Sequence, residues 1–145
     1  FGGASVKDAA AVKNVAEILK KFPQDQLIVV ISAMGKTTNA LERLTDAFFY
    51  KKEDAEKILL EIKDFHFSIM DELFSDRNHP AYNEVENTFV ELHWAIEDEP
   101  TQGYNQEYDQ IVSIGEVVST KIISAYLNEC NVKNLWNQFF CQLFL

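Results

Sequence analysis

An unbroken apolar run, Leu27 to Ile31, constrains the fold of this sequence more than any other stretch. Five consecutive apolar residues, most of them β-branched, predict a strand that is buried on both faces rather than an alternating edge strand. A loop of small and hydroxyl-bearing residues follows, and helical spacing resumes from Ala40 to Phe49. The loop contains Ser32, Gly35, Thr37 and Thr38. This order of strand, loop and helix predicts an α/β protein with a polar pocket at the carboxyl end of its sheet.

The Gly35-Lys36-Thr37 triplet in this loop looks like the end of a Walker A motif. That motif needs a glycine five residues before its Gly-Lys pair. The sequence has Val30 at that position, inside the predicted strand. We therefore reject a P-loop. The loop stays a candidate ligand site, because its backbone amides and hydroxyls would converge whichever motif it belongs to.

Composition and charge exclude several classes of protein. The chain has 145 residues, about one domain, with ordinary hydrophobic (47%) and charged (25%) fractions. A net charge of −10 argues against nucleic acid or an anionic membrane as the main partner. No apolar run approaches the ~20 residues of a membrane span. Cys130 and Cys141 lack metal-site spacing, so a cytoplasmic location is expected.

The three histidines, His66, His79 and His93, share no spacing typical of metal ligands. Each is predicted to be a surface or partly packed residue of a helix. The sequence therefore predicts no metal site formed by its own side chains.

The start of the chain carries a glycine pair before a predicted helix. Ser5 and Asp8 have the spacing of a capping box, so a helix should begin near Val6. Gly2 and Gly3 would then lie just before a helix N-terminus, where free amides and the helix dipole favour an anion such as phosphate. A simple tight turn into the helix is the alternative.

Three further stretches have apolar residues at helical spacing, and their apolar faces are predicted to form the core. They are Ala40 to Phe49, Asp54 to Phe74 and Tyr82 to Glu97. Their acidic residues are more typical of solvated helix faces than of metal ligands.

A fourth stretch, Tyr108 to Asn128, is also predicted to be a helix with one buried face, but it contains the pair Gly115-Glu116. A glycine inside a helix costs about 1 kcal/mol relative to alanine. The glycine therefore predicts close approach of another backbone or of a ligand. Glu116 could accept hydrogen bonds from a ligand's ammonium group, although an exposed helix glutamate is the simpler alternative. Asn131 then predicts a turn, and Val132 to Trp136 a further strand.

Three segments together resemble the aspartokinases of the amino acid kinase family. The family opens with Lys-Phe-Gly-Gly-Thr-Ser-Val at the end of a strand, and residues 1–6 are Phe-Gly-Gly-Ala-Ser-Val. Its second signature, Ser-Ala and a small loop that closes on Thr-Asn, matches residues 32–39. Its third, Ser-x-Gly-Glu-x-x-Ser, matches residues 113–119. The resemblance runs in the family's order from Phe1 to about Trp136.

The resemblance implies a three-layer α/β/α sandwich of the carbamate kinase-like type, present here as a helix-rich N-terminal fragment. It implies transfer of the γ-phosphoryl group of ATP, used with Mg²⁺, to the side-chain carboxylate of L-aspartate. The product, 4-phospho-L-aspartate, opens the route to lysine, threonine and methionine. Because the acceptor carboxylate is already a nucleophile, the reaction needs no general base.

The resemblance also implies roles for seven residues. Catalytic roles beside the transferring phosphate fall to Gly2, Gly3 and Ser32. Gly2 and Gly3, together with Ser5, would also bind the nucleotide. Aspartate would be bound by Thr38, Asn39 and Glu116, with Glu116 at the amino group of the substrate.

The departures from the family pattern predict an incomplete enzyme. The lysine before Phe-Gly-Gly has no counterpart in these 145 residues, and Ala4 replaces the usual hydroxyl residue. We expect residues 1–136 to be the N-terminal lobe of an amino acid kinase domain, and 137–145 an atypical apolar tail, frameshifted or artificial. This chain alone is expected to be inactive or nearly so and to self-associate through an uncovered sheet. The full-length protein is expected to be a homo-oligomer.

Two alternatives stay open. One is a sibling enzyme that phosphorylates glutamate, acetylglutamate or UMP. The other is a non-catalytic helical interaction module, suggested by the apolar tail and the long amphipathic helices.

Overall fold

Five α-helices make up most of the chain in a computed structural model that describes residues 1–136. A short 3₁₀ helix, Gly3–Val6, precedes them. The helices are α1 Ala9–Leu19, α2 Thr37–Tyr50, α3 Ala55–Leu73, α4 Pro80–Glu97 and α5 Tyr104–Glu129. The predicted apolar tail, 137–145, lies outside the described residues. Among the helices of residues 1–136, none has the length and apolar character to cross a membrane.

The helical predictions are confirmed, with one correction at the N-terminus. α1 begins at Ala9 rather than near Val6, because Asp8 and not Ser5 caps it. The Asp8 carboxylate accepts a hydrogen bond of 2.8 Å from the Ala11 amide. Ser5 lies in the 3₁₀ helix, and its amide donates to the Gly2 carbonyl. Ser and Asp are both favourable N-cap residues. Because Ser5 lies inside the 3₁₀ helix, Asp8 is the residue that caps α1.

The apolar faces of these helices meet in one core. α5 packs against α2 and α4, while α3 contacts α1, α2 and α4. The predicted apolar faces are buried, or partly buried at Ile114 and Ala125 of α5. The exception is Phe65 of α3, which is 38% exposed, whereas His66 beside it is fully buried. The largest fully buried apolar side chains of this core are Met34, Leu41, Leu44, Ile58, Met70, Ile111, Ile122 and Ile123.

Two tyrosines of α5 fix its first turns to α2. Tyr104 donates a hydrogen bond of 2.7 Å to Asp46, and Tyr108 donates one of 2.8 Å to Glu42. The bond to Asp46 is the main reason that the pKa of the Tyr104 phenol rises to about 12. These bonds set how α5 lies along α2, and both helices carry predicted site residues.

The predicted strand at Leu27 to Ile31 is not observed. Within residues 1–136 no segment forms a β-ladder, and Ile28 and Val30 are 85% and 67% exposed rather than buried. A strand is defined by hydrogen bonds to a neighbour, and this segment makes such bonds only with Phe1. The predicted strand at Val132 to Trp136 is likewise absent. The turn at Asn131 is confirmed by its left-handed φ of 61°.

Candidate functional site

The loop that follows the apolar run packs directly against the start of the chain. The Gly35 amide donates to the Gly3 carbonyl oxygen at 3.1 Å. A Cβ placed on Gly3 would lie 2.8 Å from the Ala33 carbonyl oxygen and 3.0 Å from that of Gly35. Real side chains do not tolerate such a contact with backbone, so Gly3 is required for this approach. Gly35 itself has a φ of +55°, which glycine adopts at little cost.

Ser32 joins three parts of the chain. Its amide donates to the Phe1 carbonyl oxygen at 3.0 Å, and its own carbonyl oxygen accepts 2.8 Å from the Ser119 hydroxyl on α5. Ser119 is fully buried. The N-terminal segment, the loop and α5 are therefore linked through one residue.

Gly115 brings α5 against the loop and α2. A Cβ at this position would lie 3.0 Å from Ala33 Cβ, 3.0 Å from Leu41 Cδ1 and 3.3 Å from Thr37 Cγ2. The mid-helix glycine does have a close neighbour, as predicted, but the partners are side chains of the loop and of α2 and not another backbone or a ligand. The next residue, Glu116, is partly buried at this junction.

The remaining predicted site residues occupy the edges of the same junction. Thr38 is partly buried and Asn39 is exposed, both in the first turn of α2. Gly2 and Ser5 are exposed at the N-terminal segment, and a Cβ on Gly2 would meet nothing within 4 Å. Among residues 1–136, no side chain donates a hydrogen bond to the Glu116 carboxylate.

The glycine pair is not placed as predicted. Gly2 and Gly3 do not lie at the N-terminus of α1, because the 3₁₀ helix and Asp8 come between. At the start of α1 the Asp8 carboxylate instead accepts a hydrogen bond from the Ala11 amide. Any role of the glycines in binding an anion has to come from the turn that they form against the loop.

Two open surface cavities border α2, and Thr37 of the predicted ligand loop lines one of them. One of about 440 Å³ lies against the start of α5, and one of about 170 Å³ lies between α2 and α3. The smaller cavity is lined by Lys36, Thr37, Ala40, Arg43, Ile58, Glu61, Ile62 and Phe65. Neither cavity is lined by any of the seven residues to which the resemblance assigns a role.

A buried histidine beside this junction was missed by the sequence analysis. His66 was expected at the surface or partly packed, but it is fully buried, 3.3 Å from the Thr37 hydroxyl. Burial lowers the pKa of its imidazole to about 4. The signal was present, since His66 follows Ile62 by four residues and precedes Ile69 by three, as a core position should.

Similarity to known proteins assigns these segments to a family. A sequence model of the Amino acid kinase family matches residues 1–139. The chain belongs to the amino acid kinase family. The three segments that resembled the family in sequence are those that Gly3, Ser32 and Gly115 hold together.

Within the amino acid kinase family the chain is similar to aspartokinases. It is 33% identical to aspartokinase 2 and 34% identical to aspartokinase 1, both chloroplastic proteins of Arabidopsis thaliana, over 92% of its own length. It spans about a quarter of these relatives, 24% and 23% of their lengths.

The structure resembles a solved aspartokinase of the same family. Aspartokinase III of E. coli in complex with aspartate and ADP superposes with a TM-score of 0.77 and 28% identity. The match covers 94% of this chain and 30% of the other. The complex of that enzyme with lysine and aspartate gives a TM-score of 0.76 at 26% identity. The helical arrangement described above is therefore that of an amino acid kinase.

Proposed function

We propose that this chain contributes to an aspartate kinase, which transfers the γ-phosphoryl group of ATP to the side-chain carboxylate of L-aspartate. In that reaction a carboxylate oxygen forms a bond to the γ-phosphorus as the bond to ADP breaks, giving 4-phospho-L-aspartate. This is the first step towards lysine, threonine and methionine. The observation that carries the proposal is the meeting of three sequence signatures at one junction. The aspartate and ADP bound by aspartokinase III of E. coli support it.

The phosphate side of the proposed site is formed by Gly2, Gly3 and Ser32. Phosphoryl transfer asks a protein mainly for positioning and for stabilisation of charge on the equatorial oxygens. Backbone amides can supply both, provided that they are held rigidly. The tight contact of Gly3 with Ala33 and the two bonds of Ser32 supply that rigidity. Ser5, exposed on the next turn, is proposed to contact the nucleotide.

The aspartate side is formed by Thr38, Asn39 and Glu116. A carboxylate attracts the substrate's ammonium group most strongly where it is partly shielded from water, and Glu116 is partly buried. Thr38 and Asn39 offer a hydroxyl and an amide on the facing helix. The close contact at Gly115 sets the distance between the two helices.

Mg²⁺ is proposed to enter with the phosphates of ATP. Residues 1–136 bring together no group of three or more side chains suited to hold a metal. We therefore assign no metal ligand within that described range and no step to the ion. Magnesium in phosphoryl-transfer enzymes is held largely by substrate phosphates and water.

The α/β/α sandwich belongs to the same proposal. The Phe1 ammonium donates to the Val30 carbonyl at 2.6 Å, and the Ser32 amide donates to the Phe1 carbonyl at 3.0 Å. Phe1 thus donates to the residue before Ile31 and accepts from the residue after it. This pair of hydrogen bonds is the pattern of a parallel bridge between Phe1 and Ile31. A sheet that continued this bridge would pair the backbone of the apolar run, and a helix layer packed on the sheet would cover the exposed residues Ile28 and Val30. Homo-oligomer formation and a cytoplasmic location for the whole protein are further proposals.

Binding of L-aspartate to the chain tests the proposal. We expect NMR shifts of the Thr38, Asn39 and Glu116 amides on titration, and weakening of about 10-fold or more in Glu116→Gln, which loses the charge-assisted bond. Glu91→Gln on the exposed face of α4 is the matched control. Shifts with L-glutamate or N-acetylglutamate but not L-aspartate would favour a sibling kinase. If no amino acid shifts these amides, the kinase proposal fails and the alternative of a helical interaction module stays open.

A further inference from the structure

The hydrogen bonds of His66 define its state in the core. Nδ1 lies 2.7 Å from the Ile62 carbonyl oxygen, which can only accept, so Nδ1 carries a proton. Burial lowers the pKa of the ring to about 4, so the ring is neutral at pH 7 and Nε2 is an acceptor. The Thr37 hydroxyl, 3.3 Å away, donates to it. The Phe65 and Phe89 rings pack around the imidazole.

Thr37 is held from three directions at the first position of α2. Its amide donates to the Met34 carbonyl at 2.9 Å, its methyl group faces Gly115, and its hydroxyl faces His66. The residue is 3% exposed. Thr37 therefore connects the loop, α5 and α3 at a single point.

The start of α2 lacks the usual side-chain cap. The N-cap residue is Lys36, and it makes no side-chain hydrogen bond to the helix. By contrast, α1 and α3 begin with Asp8 and Asp54, whose carboxylates accept from the first turn. The first turn of α2 is thus anchored through Thr37, by a partner on another helix.

We propose that His66 is a positioning residue: by accepting from the Thr37 hydroxyl it fixes the first turn of α2, and so the place of Thr38 and Asn39. The benefit to aspartate binding rests on the proposed function. The anchoring of α2 does not depend on it. The simple alternative is that His66 only fills space in the core.

Three variants distinguish a His66 that anchors the first turn of α2 from a His66 that only fills space in the core. Thr37→Val keeps the shape of the side chain and removes its hydroxyl. His66→Asn keeps a donor near Nδ1 but cannot reach Thr37. His66→Gln places a polar group near Nε2 and should restore part of the contact.

The first readout is amide hydrogen exchange at Ala40, whose bond to the Lys36 carbonyl closes the first turn of α2. The reference is Val12, whose bond to the Asp8 carbonyl closes the first turn of α1. We expect about five-fold faster exchange at Ala40 in Thr37→Val and in His66→Asn, the effect of one net hydrogen bond. Exchange at Val12 should not change, and the double variant should be no faster than either single variant.

The second readout is L-aspartate affinity of the same variants, which we expect to weaken about five-fold. If the unaltered chain binds no aspartate, the proposed function fails, while exchange at Ala40 still decides the role of His66. Equal acceleration at Ala40 and Val12, or additive effects in the double variant, would show that His66 is only a core residue. Should His66→Asn not fold, Thr37→Val and His66→Gln still give the comparison.

Discussion

Two isoleucines of this chain have opposite surroundings. Ile122 of α5 is fully buried, whereas Ile28 in the apolar run is 85% exposed. Both lie in strongly apolar stretches of sequence. A helix satisfies its backbone hydrogen bonds within itself, so five amphipathic helices need only bring their faces together. A strand needs a neighbour for its backbone as well, and the apolar run has that only at Phe1. An apolar sequence therefore indicates that burial is favourable, and the fold decides whether these particular residues are buried.

The same substitution at both positions should show the largest difference. Ile122→Ala removes a fully buried side chain from the core and should lower the free energy of unfolding by ~2–5 kcal/mol. Ile28→Ala removes a side chain that contacts mainly solvent and should change it by no more than ~0.5 kcal/mol. Urea unfolding curves measure both. Equal losses would mean that the apolar run is covered in solution, for instance by a second copy of the chain.

Acid should weaken the helical region through His66. The folded pKa is about 4, below the ordinary value of 6.5, because burial disfavours the charged ring. The unfolded chain therefore binds a proton more readily between these two values, and the free energy of unfolding falls as the pH drops from about 6.5 to about 4. The loss from this group is roughly 3 kcal/mol.

His66→Gln is the control for this acid effect. The variant has no ionisable group at position 66, so its stability should lack this part of the pH dependence, whatever its stability at pH 7. The groups facing the ring are the Thr37 hydroxyl, the Ile62 carbonyl and two phenyl rings, none of which titrates in this range. Parallel pH profiles for the two proteins would contradict the buried neutral state.

The smallest difference in stability is expected between alanine substitutions at the neighbouring residues Gly2 and Gly3. Gly3→Ala places a methyl group 2.8 Å from a backbone oxygen and should destabilise the chain by ~1–3 kcal/mol, since the loop has to move. Gly2→Ala meets nothing within 4 Å and should change stability by less than ~0.5 kcal/mol. Thermal unfolding of the two variants gives the comparison. If both are neutral, the contact between the chain start and the loop is not rigid.

The helices were predictable because their signals are local. Apolar spacing located α2 to α5 within a few residues. The energetic penalty of Gly115 predicted a close contact, but the expected partner, a backbone or a ligand, was wrong, because side chains of the loop and of α2 fill that space. The grouping of Gly3, Ser32 and Gly115 came from resemblance to a family, since no local pattern relates segments so far apart in sequence.

The failures have equally specific causes. Phe65 and His66 both fit the helical spacing between Ile62 and Ile69, so periodicity could not choose between them, and residue type favoured the wrong one. The hydrogen bond to Thr37 that makes burial of His66 acceptable comes from another helix. The strand prediction failed because five apolar residues specify no ladder partner.

The bond from Ser119 to the Ser32 carbonyl has a consequence for distances in the proposed site. Glu116 lies three residues earlier on the same helix, so their backbones are separated along its axis by about 4.5 Å. That spacing is set by helix pitch, and side-chain substitutions leave it unchanged. The loop proposed to face phosphate and the carboxylate proposed to hold the amino group are thus both attached to α5. A shift of α5 along its axis that kept the bond from Ser119 would therefore move the Ser32 loop and Glu116 together.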